Sequence, residues 1–185
     1  MKARTVVLVE GISDRLALEA LAERYGRDLE AERVSIVPIG GAHAIGSFLE
    51  RFGPRGLDVR LAGLCDAGEE VHFRRGLERA GLGAELTRAG MEALGFFVCV
   101  ADLEDELIRA LGPATVQEVV AANGDLGPFR TLQKQPAWQR RPLAEQLRRF
   151  MGSGGRRKTR YARFLVEALA LEDVPRPLDA VLRHV

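Results

Sequence analysis

Cysteine is scarce in this chain, and neither Cys65 nor Cys99 has a partner at CxxC or Cys/His spacing. That excludes a disulfide scaffold and a zinc ribbon. Each thiol lies inside an apolar strand-like run, where free cysteine behaves as a small buried hydrophobe. No stretch approaches the ~20 continuous apolar residues of a membrane helix. The N-terminus runs from Met1 to Arg4 straight into a strand pattern rather than a signal peptide. The expectation is a cytoplasmic protein with no membrane contact. Internal repeats and low-complexity segments are also lacking. Aromatic residues make up only 6% of the chain, with one tryptophan, Trp138.

One window nearly lacks acidic residues. Residues 130–163 hold 11 Lys/Arg and a single acid, Glu145, whereas residues 1–129 hold 14 Lys/Arg against 21 Asp/Glu. The formal net charge of +1 therefore hides an acidic body beside a basic block. Such a block attracts phosphates, although a solvated helical face would have the same composition.

What is present alternates between strand and helix. Thr5–Glu10, Val34–Ile39, Val59–Cys65 and Phe96–Val100 read as short, apolar strands. Pro38 places the second of them at a sheet edge or close to its stop. Helical spacing follows from Ser13, over Ala44–Phe52, Val71–Ala80, Leu103–Leu111 and Thr115–Asn123. After Phe129 only helices are visible: Leu143–Met151, Tyr161–Leu171 and Leu178–His184. With 185 residues and 46% hydrophobic content, this suits one α/β domain: a doubly wound, mostly parallel sheet of about four strands over residues 1–128. Residues 129–185 form a helical, basic extension packed on it.

Three of the strand runs end in acids: Glu10, Asp66, and Asp102 with Glu104 behind it. Carboxyl ends of parallel strands face one crevice, so these acids converge although distant in sequence. Crowded carboxylates repel unless a cation sits among them. Gly11 lets the chain turn so that Glu10 and Asp14 share a rim, where Ser13 or Asp14 could also cap the helix. Asp102 with Asp105 could cap the helix from Leu103, yet four acids in five positions exceed what a cap needs.

Val7-Leu-Val-Glu-Gly-Ile-Ser-Asp14, Gly40-Gly41 and Leu61-Ala-Gly-Leu-Cys-Asp66 together resemble the TOPRIM domain of type IA topoisomerases, primases and overcoming-lysogenization-defect (OLD) nucleases. The likeness leans to the OLD nucleases through Leu103-Glu-Asp-Glu-Leu107 and through Lys158 in Arg157-Lys158-Thr159. The resemblance implies an endonuclease that hydrolyses DNA, or RNA, with Mg²⁺ or Mn²⁺ on Glu10, Asp14, Asp66 and Glu104. Glu10 and Asp66 would be catalytic, Glu10 alternatively as general acid/base. Lys158 would stabilise the pentacoordinate phosphate, and Arg156, Arg157 and Arg160 would hold the backbone. It also implies an ATPase, either ahead of this segment in a longer chain or as a separate partner. One departure stands out: the family's Asp-x-Asp is here Asp66-Ala67-Gly68. That leaves a catalytically silent nucleic-acid or partner-binding module as the alternative, and Glu69 or Glu70 as substitute ligands.

Three further features carry weaker signals. Gly152-Ser-Gly-Gly-Arg-Arg-Lys-Thr159 has arginine where a Walker A loop needs its second glycine, and it follows a helical pattern. His43 reads as a partly exposed loop histidine. Trp138 reads as a hydrophobic anchor for the extension, with stacking on a base as the other reading.

Overall fold

The computed structural model describes residues 3–185. The four strands β1 (Thr5–Val9), β2 (Val34–Pro38), β3 (Arg60–Cys65) and β4 (Phe96–Val98) form one sheet in the order β2-β1-β3-β4, every pairing parallel. The register sets Val7 beside Ile36 and Ala62, and Gly63 beside Phe96. Pro38 ends β2 on the edge of the sheet, where a missing amide hydrogen is tolerated.

Alternation along the strands divides the core in two. Val7, Val9, Ala62, Leu64 and Phe97 face one side, against α1 (Ile12–Arg24), α5 (Leu103–Leu111), α6 (Pro113–Ala122), α8 (Leu143–Gly152), α9 (Gly155–Ala168) and α10 (Arg176–His184). Val6, Leu8, Leu61, Cys65, Phe96 and Val98 face the other, against α2 (Ile45–Phe52), α3 (Glu70–Arg79) and α4 (Arg88–Ala93). Helices on both faces make the sheet doubly wound, as its continuous apolar strands require. Connections leave β1 toward β2 on one side, and return past it to β3 on the other. The crevice between the carboxyl ends of β1 and β3 is the point where such a sheet binds ligands.

Two helices have no counterpart in the sequence reading. α4 is six residues long with Gly90 inside and Met91 as its buried residue, so it lacks an apolar period. Its start is instead fixed by Thr87, whose hydroxyl accepts the Gly90 amide at 3.1 Å. α7 (Leu126–Gln133) carries Gly127 and Pro128 in its first turn, where breakers are harmless because those amides have no intrahelical partner. Its Phe129 is fully buried, 5.2 Å from the ring of Phe150. β4 is shorter than the apolar run suggested: Cys99 still donates to Cys65 at 2.9 Å, but Val100 turns out of the sheet and its amide goes to Glu106 Oε1. Among the described residues, no helix is long and apolar enough to cross a membrane.

α9 lies along α1. Tyr161, Ala162, Leu165 and Val166 join Ala17, Leu18 and Leu21 in one buried cluster, and Arg24 Nη1 donates to the Val166 carbonyl at 2.7 Å.

Candidate active site

Glu10 is the first residue beyond β1, and Asp66 the first beyond β3. They meet directly: the Asp66 amide donates to Glu10 Oε1 at 2.7 Å. On the opposite side of Glu10, its carbonyl accepts the amides of Gly40 and Gly41, each at 3.1 Å. Both glycines have positive φ, 77° and 113°, which lets two successive amides aim at one oxygen.

Neither Ser13 nor Asp14 starts α1, which begins at Ile12 behind Gly11. Asp14 sits in the first turn and accepts the Gly11 amide at 2.7 Å, so it ties down the turn that carries Glu10. Asp102 is the N-cap of α5, accepting the Asp105 amide at 2.8 Å. Its other oxygen takes Arg148 Nε of α8 at 2.8 Å. Glu104, in the first turn of α5, is buried, and its Oε1 has no hydrogen-bond partner. Its Oε2 lies 3.3 Å from Lys158 Nζ. Lys158 precedes Tyr161 and Ala162 by three and four positions, so it shares the buried face of α9 and points inward from the extension.

The electrostatics follow from crowding. Burial, together with the carboxylates of Glu10, Asp14 and Asp102, pushes Asp66 up to about 8. Burial raises Glu10 as well, with Asp14 and Glu69 adding to it against the Asp66 amide and Lys158. Asp14 and Glu104 are raised by burial too. Burial works against the Lys158 ammonium, but Glu104, Asp14 and Asp66 outweigh it and hold its pKa above the usual lysine value.

The donor set is all oxygen, which suits a hard divalent cation, and Glu104 Oε1 is a buried acceptor without a donor. As placed, no three His, Cys, Asp or Glu side chains among the described residues close on a single point. Glu10 and Asp14 are each turned onto a backbone amide instead. Gly68 is exposed, and a Cβ there would meet nothing within 4 Å. Glu70 is held by Arg88, whereas Glu69 raises Glu10 and lies 3.7 Å from His72. His43 belongs to a 3-10 turn, Ala42–Ala44, with its ring edgewise on His72 at 4.1 Å.

The three arginines are placed apart from this cluster. Arg157 Nη1 donates to Ser153 Oγ at 2.7 Å, and its guanidinium covers the Phe150 ring at 4.2 Å, closing the end of α8. Arg160 pairs with Asp125, which also accepts the Tyr161 hydroxyl at 2.8 Å. Arg156 is exposed at the start of α9. The glycine-rich segment before it follows α8, not a strand, as a Walker A loop would. Sequence reasoning missed Arg148 and Arg149, whose α8 borders the acids. Their signal was an amphipathic helix with Leu147, Phe150 and Met151 on its inner stripe.

A family model described as "Overcoming lysogenization defect protein-like, TOPRIM domain" matches residues 2–67. The C-terminal region of the Burkholderia pseudomallei OLD protein superposes with a TM-score of 0.76 at 20% identity, covering 100% of this chain and 97% of that one. The C-terminal region of the Xanthomonas campestris pv. campestris OLD protein gives 0.76 at 25% identity in its platinum-phased structure, over 99% and 92%. Its mercury-phased structure gives 0.73 at 24%, over 98% and 94%. No curated protein sequence matches the chain. Residues 2–67 therefore match the OLD-like TOPRIM family model, and the chain as a whole has the fold of an OLD C-terminal region.

Proposed function

We propose that this chain is a divalent-metal-dependent endonuclease that hydrolyses DNA phosphodiester bonds. The observation that carries the reading is the convergence of Glu10, Asp14, Asp66 and Glu104, from three separate strand ends, around the Lys158 ammonium of α9. Nothing in the folding of an α/β domain calls for so many buried like charges at one crevice, whereas a phosphoryl-transfer site uses them. Glu10, Asp14, Asp66 and Glu104 would hold Mg²⁺ or Mn²⁺, with Glu69, whose charge is felt by Glu10, as the substitute ligand. The bound metal would polarise a phosphoryl oxygen and lower the pKa of the attacking water.

The chain's own residues do the rest. Lys158, kept charged by its acidic surroundings, would stabilise the extra negative charge on a pentacoordinate phosphate. Glu10, whose carboxyl burial raises above its ordinary value, would serve as the general acid/base where it is not a ligand. Arg156 faces solvent at the start of α9, while Arg157 and Arg160 would have to leave their present partners to meet neighbouring phosphates. An ATPase, on a longer chain or a separate one, would work with this domain, and the cytoplasm would be its compartment.

One observation favours a second reading, a catalytically silent module that binds nucleic acid: Gly68 stands where the family carries its second aspartate. Mn²⁺ and Mg²⁺ titrated by calorimetry, followed by nicking of supercoiled plasmid, decide between the two. Metal binding with nicking is the expected result; DNA binding without metal uptake or nicking would leave the silent module.

A further inference from the structure

The chain's single tryptophan belongs to neither apolar core. Trp138 is no anchor for the extension. It sits in the turn between α7 and α8, where its amide donates to the Gln135 carbonyl at 2.8 Å and its own carbonyl accepts Gln146 Nε2 at 2.9 Å. The backbone is thus pinned while the half-buried ring lines a groove of about 540 Å³. Arg148, Arg149 and Lys158 line the same groove, and so do Asp102, Glu104 and Glu145, so its charges balance. Arg148 is occupied with Asp102, but Arg149 reaches toward the tryptophan, its guanidinium 5.9 Å from the ring centroid.

A large ring left outside the core forgoes the apolar burial that usually places tryptophan inside. Here it stands in a groove shared with Arg149 and with Lys158, the lysine proposed to meet the reacting phosphate. A stacking face with an arginine beside it is a combination that holds unpaired nucleotides, because every base has a π-face and every linkage a charge. The volume is on the scale of pockets that take one small ligand, so a nucleotide fits and a duplex does not. A paired base would first have to leave its stack to reach the ring.

We infer that this groove is a subsite for an unpaired nucleotide next to the scissile phosphate, its base stacked on Trp138 and its phosphate between Arg149 and Lys158. The substrate class is then single-stranded or frayed nucleic acid rather than intact duplex. The inference rests on the nuclease reading only for making Lys158 the neighbour of the reacting phosphate.

Because Trp138 is the sole tryptophan, its fluorescence reports on this groove alone. With Ca²⁺ present, a short fluorescein-labelled single-stranded DNA should quench that emission in step with its own rise in anisotropy, and a blunt duplex of the same sequence should bind with little quenching. Trp138→Ala should weaken single-strand binding by roughly ten-fold or more and leave duplex binding unchanged, while Trp138→Phe should retain most of the affinity. Single-strand binding with unchanged emission, no single-strand binding at all, or wild-type affinity in Trp138→Ala would each overturn the inference. The plasmid assay keeps the two readings apart. Quenching without nicking supports the nucleotide subsite and removes the nuclease. Nicking with no Trp138 effect removes the subsite and keeps the nuclease.

Discussion

Asp66 concentrates the problem this site poses to single residues. Its carboxylate stands at the end of a buried strand, where burial first, and then Glu10, Asp14 and Asp102, raise it from its ordinary 3.8 to about 8. Between those two pH values the unfolded chain is ionised there and the folded chain holds a proton. The folded state therefore loses stability as pH climbs from about 4 to about 8 in metal-free protein. A divalent cation displaces that proton. Calorimetry at neutral pH in buffers of different ionisation heat should show proton release on Mn²⁺ binding, and Asp66→Ala or Glu10→Ala should abolish the binding with the circular dichroism unchanged. Unaltered Mn²⁺ affinity in both variants would remove the site assignment. Gly68 gives a complementary test, since a side chain there meets open space. Gly68→Asp should raise Mn²⁺ affinity; a fall in nicking rate would mean that Glu69 already serves as the ligand. Strand-end acids such as Glu10 and Asp66 are legible in a sequence because they interrupt an apolar run where a charge is expensive. Arg149 and Trp138 are not legible in that way. Their meaning depends on which neighbour α8 packs against, and no local pattern specifies that.

Elements carry the site as firmly as residues do. The strands and the longer helices were readable because burial on both faces makes β1 and β3 continuously apolar, and burial on one face gives α2, α5 and α8 a clear period. α4 and α7 were hidden because their reasons for being helical are a cap and a docked aromatic, neither of which has a period. Lys158 enters the crevice only because α9 seats on α1. Leu165, 1% exposed, is at the centre of that contact. Leu165→Ala should cost about 2–5 kcal/mol through lost burial and the cavity left behind. Urea unfolding followed by circular dichroism should show a lower midpoint with an unchanged slope, in one transition, because α1 and α9 share a single buried cluster. A change below about 1 kcal/mol would mean that α9 docks loosely and that Lys158 is not held in place.

At the scale of the whole molecule, the two halves of the charge distribution meet at the carboxyl ends of the strands. The acidic body supplies the carboxylates, and the basic block supplies Lys158, Arg148 and Arg149 from helices laid against them. Several of the basic side chains are already committed: Arg148 to Asp102, Arg160 to Asp125 and Arg157 to the end of α8. Counting arginines in the sequence therefore overstates the phosphate contacts. Arg149 and Arg156, both exposed on adjoining helices, are the ones we expect to track a nucleic-acid backbone. Each such contact releases counterions, so DNA affinity should fall linearly with salt on logarithmic axes, with about 0.7–0.9 of slope per contact. Removing Arg149 and Arg156 together should flatten that slope by roughly one to two while leaving the unfolding midpoint nearly unchanged. Arg157→Ala should act in the opposite sense, lowering stability because the α8 terminus loses its cap, with a smaller effect on the slope. Lys158→Ala should slow nicking more than it weakens binding, since its proposed partner is the reacting phosphate. A salt-independent affinity, or a Lys158→Ala protein that nicks at the wild-type rate, would show that the basic extension only supports the fold.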